Sequence, residues 1–446
     1  MIQLVAVFAV VLLGASLGAA AAQPEPPAAA APAAPAAPAA PTAPAAAEPA
    51  TAAAPDESPP AWRAPLFPRR ERGSLLFDNI PLPEAALHAR LARYLESREA
   101  SLFDWLPDGS LLIGTRFGDT EQVHRVAAPG QAREQLTFYA EPVRTARASP
   151  EGGGFVFLKD TGGDEKSQLY YQAADGALRE LTHGDFTHGR PVWARDGKRV
   201  AFYGNDRDGV GNDVYVTDVT SGAAPALVVG GKQDTWYPLD WSTDDSKLLV
   251  MRYVSIGESY LYTVNVASGA LTPLDGSGRR VGIRDAKFSP DGRGIYVLSD
   301  EDGELVQLKL VEPVTRQSRR ITADSSWEVE SFDVSPDGRY VAYVENQDGR
   351  SVLKVLDSGS HADIAPAGLP EGVIDRLAFD RGGQRLALAV ESPRSPRDVY
   401  SFDLRSRELE RWTRSEAGAV NASTFTAPEL VHYPTWDRVA GHQRLL

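Results

Sequence analysis

Apolar and polar residues alternate along most of the chain, in short runs separated by turn residues. The clearest runs are FSPDGRGIYVL (288–298) and VSPDGRYVAYV (334–344), each with Asp-Gly between two alternating segments. Asp-Gly tolerates the positive backbone angle of a tight turn, and alternation indicates a half-buried strand. Each run therefore predicts two antiparallel strands joined by a turn.

Weaker copies of this run recur at regular distances. The turns centre on positions 108, 151, 196, 244, 291, 337 and 381, which are 43 to 48 residues apart. A second alternating segment follows each turn, as in QLYYQ (168–172) and DVYVTDV (213–219). About four strands per unit at this period are typical of a β-propeller blade, which buries both faces of its sheet only against its neighbours. The sequence predicts an all-β fold, a seven-bladed β-propeller of four-stranded blades over residues 98–418.

Aromatic residues just before several turns are expected to form the blade cores. They are Trp193, Trp241, Phe288, Phe332 and Phe379.

The first 97 residues have a different composition. The apolar run LVAVFAVVLL (4–13), followed by small residues at 20–22, predicts a signal peptide over 1–22. An uncleaved membrane anchor is the alternative, and both place the chain outside the cytoplasm, periplasmic or secreted. After cleavage no membrane span is expected. Residues 23–62 are nearly all Ala and Pro, which predicts a disordered spacer, and 63–97 form an extension with a short helix.

Composition excludes several kinds of site. The chain has no cysteine, which rules out disulfides, zinc–thiolate sites and cysteine nucleophiles. The formal net charge of −14 argues against a nucleic-acid partner, because phosphate binding needs basic patches.

Two segments rich in possible metal ligands were weighed against simpler roles. The segment 205–213 carries many oxygen donors, but Val210 occupies a ligand position of the EF-hand spacing, which favours a polar turn. His183 and His188 lie five residues apart without an evident third ligand, so no zinc site is predicted. The sequence predicts no metal and no cofactor.

Four further segments carry a resemblance to a known family. They are GTRFGDTEQVHRV (114–126), DTGGDEKSQLYY (160–171), SPRSPRDVYSFDL (392–404) and ERWTRSEAG (410–418). Together with repeats similar to the TolB or PD40 type, they resemble the N-terminal half of secreted S9-family serine peptidases, the prolyl oligopeptidase and acylaminoacyl-peptidase group. The resemblance covers roughly 74–437.

This resemblance implies a function and a departure from it. In the family, the propeller filters peptides for an α/β-hydrolase domain with a Ser-Asp-His triad and a G-x-S-x-G elbow. Residues 419–446 resemble only a truncated start of that domain, and the match GASLG (14–18) lies in the predicted signal peptide. We therefore expect a substrate-gating propeller that is catalytically inactive alone. A stand-alone TolB-like module that binds peptides or a protein partner is the alternative.

Candidate binding residues follow from the resemblance and from position. Asp164 and Glu165 resemble propeller carboxylates that bind a peptide's amino group in some family members, although a solvated hairpin loop is the competing interpretation. Trp236 and Tyr237 begin the fourth blade, where they either line the channel or pack between blades. No catalytic residue is predicted.

Overall fold

The computed structural model describes residues 66–72, 75–82, 84–231, 233–274, 279–315, 317–434 and 440–442. The predicted signal peptide (1–22) and spacer (23–62) lie outside these residues. By its internal contacts the chain divides into two units, Met1–Ala89 and Arg90–Leu446. No helix in the described ranges has the length and apolar character of a membrane span.

The first unit contains a two-stranded antiparallel sheet. It pairs β1 (Arg70–Arg72) with β2 (Leu75–Phe77). The 11-residue helix α1 (Ala85–Leu95) begins in this unit and ends in the second, and none of its residues is buried.

The second unit is the predicted seven-bladed propeller, in which each blade is an antiparallel sheet of consecutive strands. The strands of blades 1 to 3 are β3 (Ala100–Trp105), β4 (Leu111–Thr115), β5 (Gln122–Val126), β6 (Arg133–Gln135), β7 (Thr145–Ala148), β8 (Gly154–Lys159), β9 (Gln168–Ala173), β10 (Leu178–Glu180), β11 (His188–Trp193), β12 (Arg199–Gly204), β13 (Asp213–Asp218) and β14 (Ala226–Val229).

Blades 4 to 7 follow the same order. Their strands are β15 (Thr235–Trp241), β16 (Lys247–Ser255), β17 (Glu258–Asn265), β18 (Leu271–Pro273), β19 (Ile283–Phe288), β20 (Ile295–Ser299), β21 (Gln307–Val311), β22 (Ser318–Arg320), β23 (Glu328–Val334), β24 (Tyr340–Gln347), β25 (Arg350–Asp357), β26 (Val373–Phe379), β27 (Arg385–Ser392), β28 (Ser395–Asp403) and β29 (Leu409–Arg411). In blade 6 a single bridge between Leu356 and Asp363 replaces the fourth strand.

The residues beyond blade 7 form a 3₁₀ turn and one small sheet. The turn spans Ala422–Thr424, and β30 (His432–Pro434) pairs antiparallel with β31 (Ala440–His442). The final segment lacked the alternation expected of a strand, yet it supplies β31 because backbone pairing with β30 needs no alternation.

The Ser-Pro-Asp-Gly turns explain why the repeat has its sequence. In blade 5 the hydroxyl of Ser289 donates to Asp291 and accepts from the backbone N–H of Gly294, 2.7 Å away. Asp291 also accepts from the N–H of Arg293 at 3.0 Å, and Gly292 has φ +69°. Serine, aspartate and glycine thus each satisfy one requirement of the turn.

The hydrophobic core is divided among the interfaces between blades. Each cluster of buried residues combines two neighbours, and the cluster between blades 7 and 1 packs Trp105 against Trp412 with ring centroids 5.5 Å apart. Of the aromatics predicted in the cores, Trp241, Phe332 and Phe379 are buried. Trp193 and Phe288 are partly exposed, although Trp241 and Phe379 also end the first strands of their blades.

One hydrogen bond crosses every interface at the same level of the first strands. We call the last residue of each blade's first strand the anchor position and the residue before it the inner position. The anchor residues, in blade order, are Trp105, Ala148, Trp193, Trp241, Phe288, Val334 and Phe379. The inner residues are Asp104, Arg147, Val192, Asp240, Lys287, Asp333 and Ala378.

Three kinds of donor and acceptor make these bonds. An anchor tryptophan donates its indole N–H to the preceding blade's inner carbonyl between blades 7 and 1, 2 and 3, and 3 and 4, at 2.9 to 3.0 Å. An inner aspartate accepts the next blade's anchor N–H between blades 1 and 2, 4 and 5, and 6 and 7, at 2.8 to 3.1 Å. Lys287 joins blades 5 and 6 by donating to Asp333 at 2.6 Å.

Among the described residues the ring closes without exchange of a strand. Backbone hydrogen bonds from Arg98 to Glu416 at 2.9 Å and from Gly130 to Trp412 at 3.0 Å contribute to this closure, as do side chains. Trp105 of blade 1 donates to the carbonyl of Ala378 in blade 7, and the guanidinium of Arg385 lies 4.4 Å from the Trp105 ring centroid. Blade 1 takes all four of its strands from one continuous segment.

We predict that Asp333→Ala destabilises the ring strongly. It leaves the N–H of Phe379 without its acceptor and Lys287 without its nearest carboxylate, a loss of about 3 to 5 kcal/mol. Differential scanning calorimetry should show a melting temperature lower by roughly 5 °C or more. Asp324→Ala, which removes an exposed carboxylate on the connection between β22 and β23, is the control; equal melting temperatures for the two variants would contradict the prediction.

We also predict a pH effect from His124. Burial lowers the pKa of His124, although its bond with the carbonyl of Gln122 opposes this. The unfolded chain therefore binds the proton more readily, so stability is lost as the pH falls below about 6.5. His124→Phe should lose less melting temperature between about pH 7 and pH 5 than the parent chain. The exposed His183→Phe should behave as the parent; identical pH profiles for all three would refute the assignment.

Candidate functional site

The candidate site is the central channel, which the first strands of the blades surround. Neighbouring first strands contact one another, as β3 does with β7 and with β26. We call the residue two places before the inner position the upper position. The upper position is charged in three blades, and the inner position is charged in five. Charged residues at both positions are Asp104, Arg147, Arg190, Asp240, Asp285, Lys287, Asp333 and Arg376.

A salt bridge spans the upper part of the channel. Arg190 of blade 3 reaches Asp285 of blade 5 at 2.7 Å and passes over blade 4, and both side chains are about one-third exposed. Arg190 has φ +48°, in the left-handed region that side chains other than glycine rarely adopt. A β-bulge between Gly189 and Val192 accommodates this conformation. The strained backbone therefore directs a cation across the channel.

Carboxylates surround a single lysine on the wall formed by blades 4 to 6. Burial by itself would lower the pKa of Lys287, but Asp333, Asp285 and Asp240 raise it overall. Burial raises the pKa of Asp240, despite the attraction of Arg195 and Lys287. On this wall the positive charge of Lys287 and the negative charges of the neighbouring aspartates offset one another.

The predicted carboxylates Asp164 and Glu165 lie on the exposed loop between β8 and β9. Asp164 accepts from the backbone N–H of Lys166 at 3.0 Å and of Thr161 at 3.3 Å, and the first of these bonds is the main cause of its lowered pKa. Glu165 has φ +60°, and its carbonyl accepts from the hydroxyl of Thr187. Their role in binding an amino group stays a prediction.

The predicted aromatic residues Trp236 and Tyr237 are each 4% exposed. Trp236 belongs to the core cluster of blades 3 and 4 and lies 5.2 Å from the ring of Tyr262. The hydroxyl of Tyr237 accepts from the amide of Asn212 at 3.1 Å, and burial raises its pKa. In this structure both pack between blades, and the ring of Tyr203 in blade 3 lies 5.1 Å from that of Tyr237.

The residues weighed for metal binding use their polar groups within the fold. His188 is buried with its Nε2 2.9 Å from Asp206, and Asp213 pairs with Arg207 at 2.7 Å. Asp208 accepts from the backbone N–H of Val210 and Gly211, both at 2.9 Å. Across the described ranges, no three His, Cys, Asp or Glu residues are arranged to hold a metal ion.

The sequence analysis missed the charged residues of the channel. In blades 1 to 6 the inner residue lies four places before the Asp or Glu of the turn, so the repeat itself locates it. The sequence of a single blade does not show that these positions converge on one axis.

Comparisons with known proteins agree with this architecture. The structure of a prolyl endopeptidase matches with a TM-score of 0.66 and 15% identity, covering 80% of this chain and 55% of that one. Puromycin hydrolase matches with a TM-score of 0.64 and 17% identity, covering 79% of this chain and 59% of that one. This chain has the propeller fold of those peptidases. The resemblance predicted from the sequence is confirmed at the level of the fold.

Two further comparisons complete this result. Prolyl oligopeptidase B from Galerina marginata matches with a TM-score of 0.63 and 11% identity over 79% of this chain and 56% of that one. An uncharacterized peptidase, YuxL of Bacillus subtilis (strain 168), is 23% identical over 206 residues, which are 44% of this chain and 28% of that protein. No protein-family profile matches the chain. The chain thus spans less than two thirds of the length of each of these proteins.

We predict that Arg190→Gly gives a more stable ring than Arg190→Ala, against the usual penalty for glycine in a strand. Both variants lose the bridge to Asp285, but only glycine relieves the positive φ, a gain of about 0.5 to 1 kcal/mol. Thermal unfolding of both variants measures the difference. As a control, Val192→Gly and Val192→Ala should show the ordinary order, with alanine more stable; the same order at 190 would contradict the strain.

Proposed function

We propose that this chain is the substrate-gating propeller of a secreted S9-type serine peptidase, with hydrolysis carried out by a hydrolase domain. The observation that carries the proposal is the channel of a propeller with the prolyl oligopeptidase fold, spanned by the Arg190–Asp285 bridge at 2.7 Å. A channel crossed by side chains admits an extended peptide and rejects a folded protein. The partially exposed bridge opens at small cost, since such pairs contribute about 1 kcal/mol or less.

In this proposal the propeller itself catalyses no step of hydrolysis. Among the described residues, no histidine ring hydrogen-bonds a serine: the bonded rings, His124 and His188, contact the carbonyl of Gln122 and the carboxylate of Asp206. A nucleophilic serine needs such a base. The expected ligands are peptides in the periplasm or outside the cell.

A TolB-like module that works alone is the second candidate. It is favoured by the self-contained ring, in which every interface between blades has its own bond and blade 1 closes against blade 7 without a foreign strand. The two candidates share peptide binding in the channel and differ in whether a hydrolase acts on what passes.

Because the chain has no cysteine, a single introduced cysteine permits a sharp test of the channel. Arg190→Cys, labelled with a bulky maleimide, should abolish binding of a fluorescein-labelled unstructured decapeptide measured by anisotropy. The control is Val314→Cys with the same label, on a turn of blade 5 where Val314 is 93% exposed. Equal binding by both labelled chains would refute passage through the channel.

A fluorophosphonate probe tests the catalytic part of the proposal. We expect no serine of this chain to be labelled, because no described serine has a histidine base. A labelled serine, identified by mass spectrometry, would show an acyl-transfer site in this chain and overturn the assignment.

A further inference from the structure

The wall formed by blades 7, 1 and 2 differs from the rest of the channel in its charge. Within the described residues, Arg190 pairs with Asp285 at 2.7 Å and Lys287 with Asp333 at 2.6 Å. Neither Arg147 of blade 2 nor Arg376 of blade 7 forms an ion pair with a carboxylate in the same part of the chain. These are the two inner-strand cations that the fold leaves without a counter-ion.

The interface between blades 2 and 3 does not use the side chain of Arg147. The bond between blades 2 and 3 uses the carbonyl of Arg147, which accepts from the indole N–H of Trp193 at 2.9 Å. The guanidinium instead donates only to carbonyls, those of Ala146 at 2.9 Å and Phe103 at 3.3 Å. Its side chain points towards blade 1 and keeps donors available.

Arg376 is still less satisfied. Its Nε is fully buried and has no hydrogen-bond partner among the described residues, although the residue as a whole is partly exposed. A buried donor without a partner, on a charged group, is costly in a folded protein. A bound ligand, ion or water that reaches this guanidinium would supply the missing partner.

Blades 7 and 2 approach each other around the inner strand of blade 1. Arg381 of blade 7 donates to the carbonyl of Ser149 in blade 2 at 2.8 Å. Burial and then the positive charge of Arg376 lower the pKa of Arg147, and the carboxylate of Asp104 opposes this. The acid at this level is Asp104, whose oxygens accept the N–H groups of Trp105 and Ala148. Asp104 attracts both Arg147 and Arg381, and Glu151 also attracts Arg381. Arg376 forms no ion pair with a carboxylate among the described residues.

We propose that Arg147 and Arg376 form a carboxylate-binding site in the channel, between blades 7 and 2. A carboxylate offers two oxygens to planar guanidinium donors and neutralises two like charges at once. The ligand class is an organic carboxylate, either a free small acid or the C-terminus of a peptide. The site does not depend on the gating role, because a stand-alone binding module would bind the same group.

Calorimetric titration of the full chain tests the site. The probes are N-acetyl-tetra-alanine with a free carboxylate, the same peptide as its C-terminal amide, and sodium acetate as a competitor. We expect the acid to bind at least about tenfold more tightly than the amide, since one charge-assisted contact corresponds to that factor. Competition by acetate would identify small acids as sufficient ligands, and its absence would identify the peptide terminus; both results support the site.

Substitutions then locate the binding. Arg376→Gln and Arg147→Gln should each remove the preference for the acid, whereas Arg320→Gln, an exposed arginine on β22, should keep it. Arg376→Gln is the decisive variant because its guanidinium makes no internal bond among the described residues, so the fold does not require it. Equal affinity for acid and amide, no binding of the acid, or an unchanged preference in Arg376→Gln would overturn the proposal.

Discussion

The ring depends on one recurring interaction, a hydrogen bond between neighbouring blades at the anchor and inner positions. Apolar packing between blades is non-directional and tolerates sliding of one sheet over another. A hydrogen bond at a fixed level sets the height of each blade relative to the next, and its loss leaves a buried polar group unsatisfied. Repetition at all seven interfaces holds the blades in one register around the axis.

The interaction is conserved in geometry but not in chemistry along this chain. Trp241 donates from a side chain to a backbone, Asp240 accepts from a backbone with a side chain, and Lys287 joins two side chains. Each solution needs one residue from each of two blades. Where the anchor is tryptophan, the preceding inner residue contributes only its carbonyl.

This division of labour explains the composition of the channel. Where the interface bond uses only the carbonyl of the inner residue, it does not constrain the side chain. This holds for Arg147, Val192 and Ala378. Inner residues that bond through a carboxylate must remain acidic, as Asp104 does. The inner aspartates are therefore structural, whereas the interface between blades 2 and 3 does not require the guanidinium of Arg147.

Much of the fold was determined by the sequence alone. Turn chemistry and strand alternation are local, so the repeat of Ser-Pro-Asp-Gly and its variants predicts the strands, their number per blade and the seven blades. The resemblance to peptidase propellers also rests on local segments. The residues that face the channel could be counted from each turn, but their partners lie in other blades.

The tertiary structure alone decided which of these residues meet. Arg190 and Asp285 are 95 residues apart and touch only because two blades curve around a third. The same curvature packs Trp236 and Tyr237 of blade 4 against residues of blade 3. Contacts across a closed ring depend on how every intervening blade is tilted, and that angle arises from side-chain packing over the whole circle rather than from any local pattern.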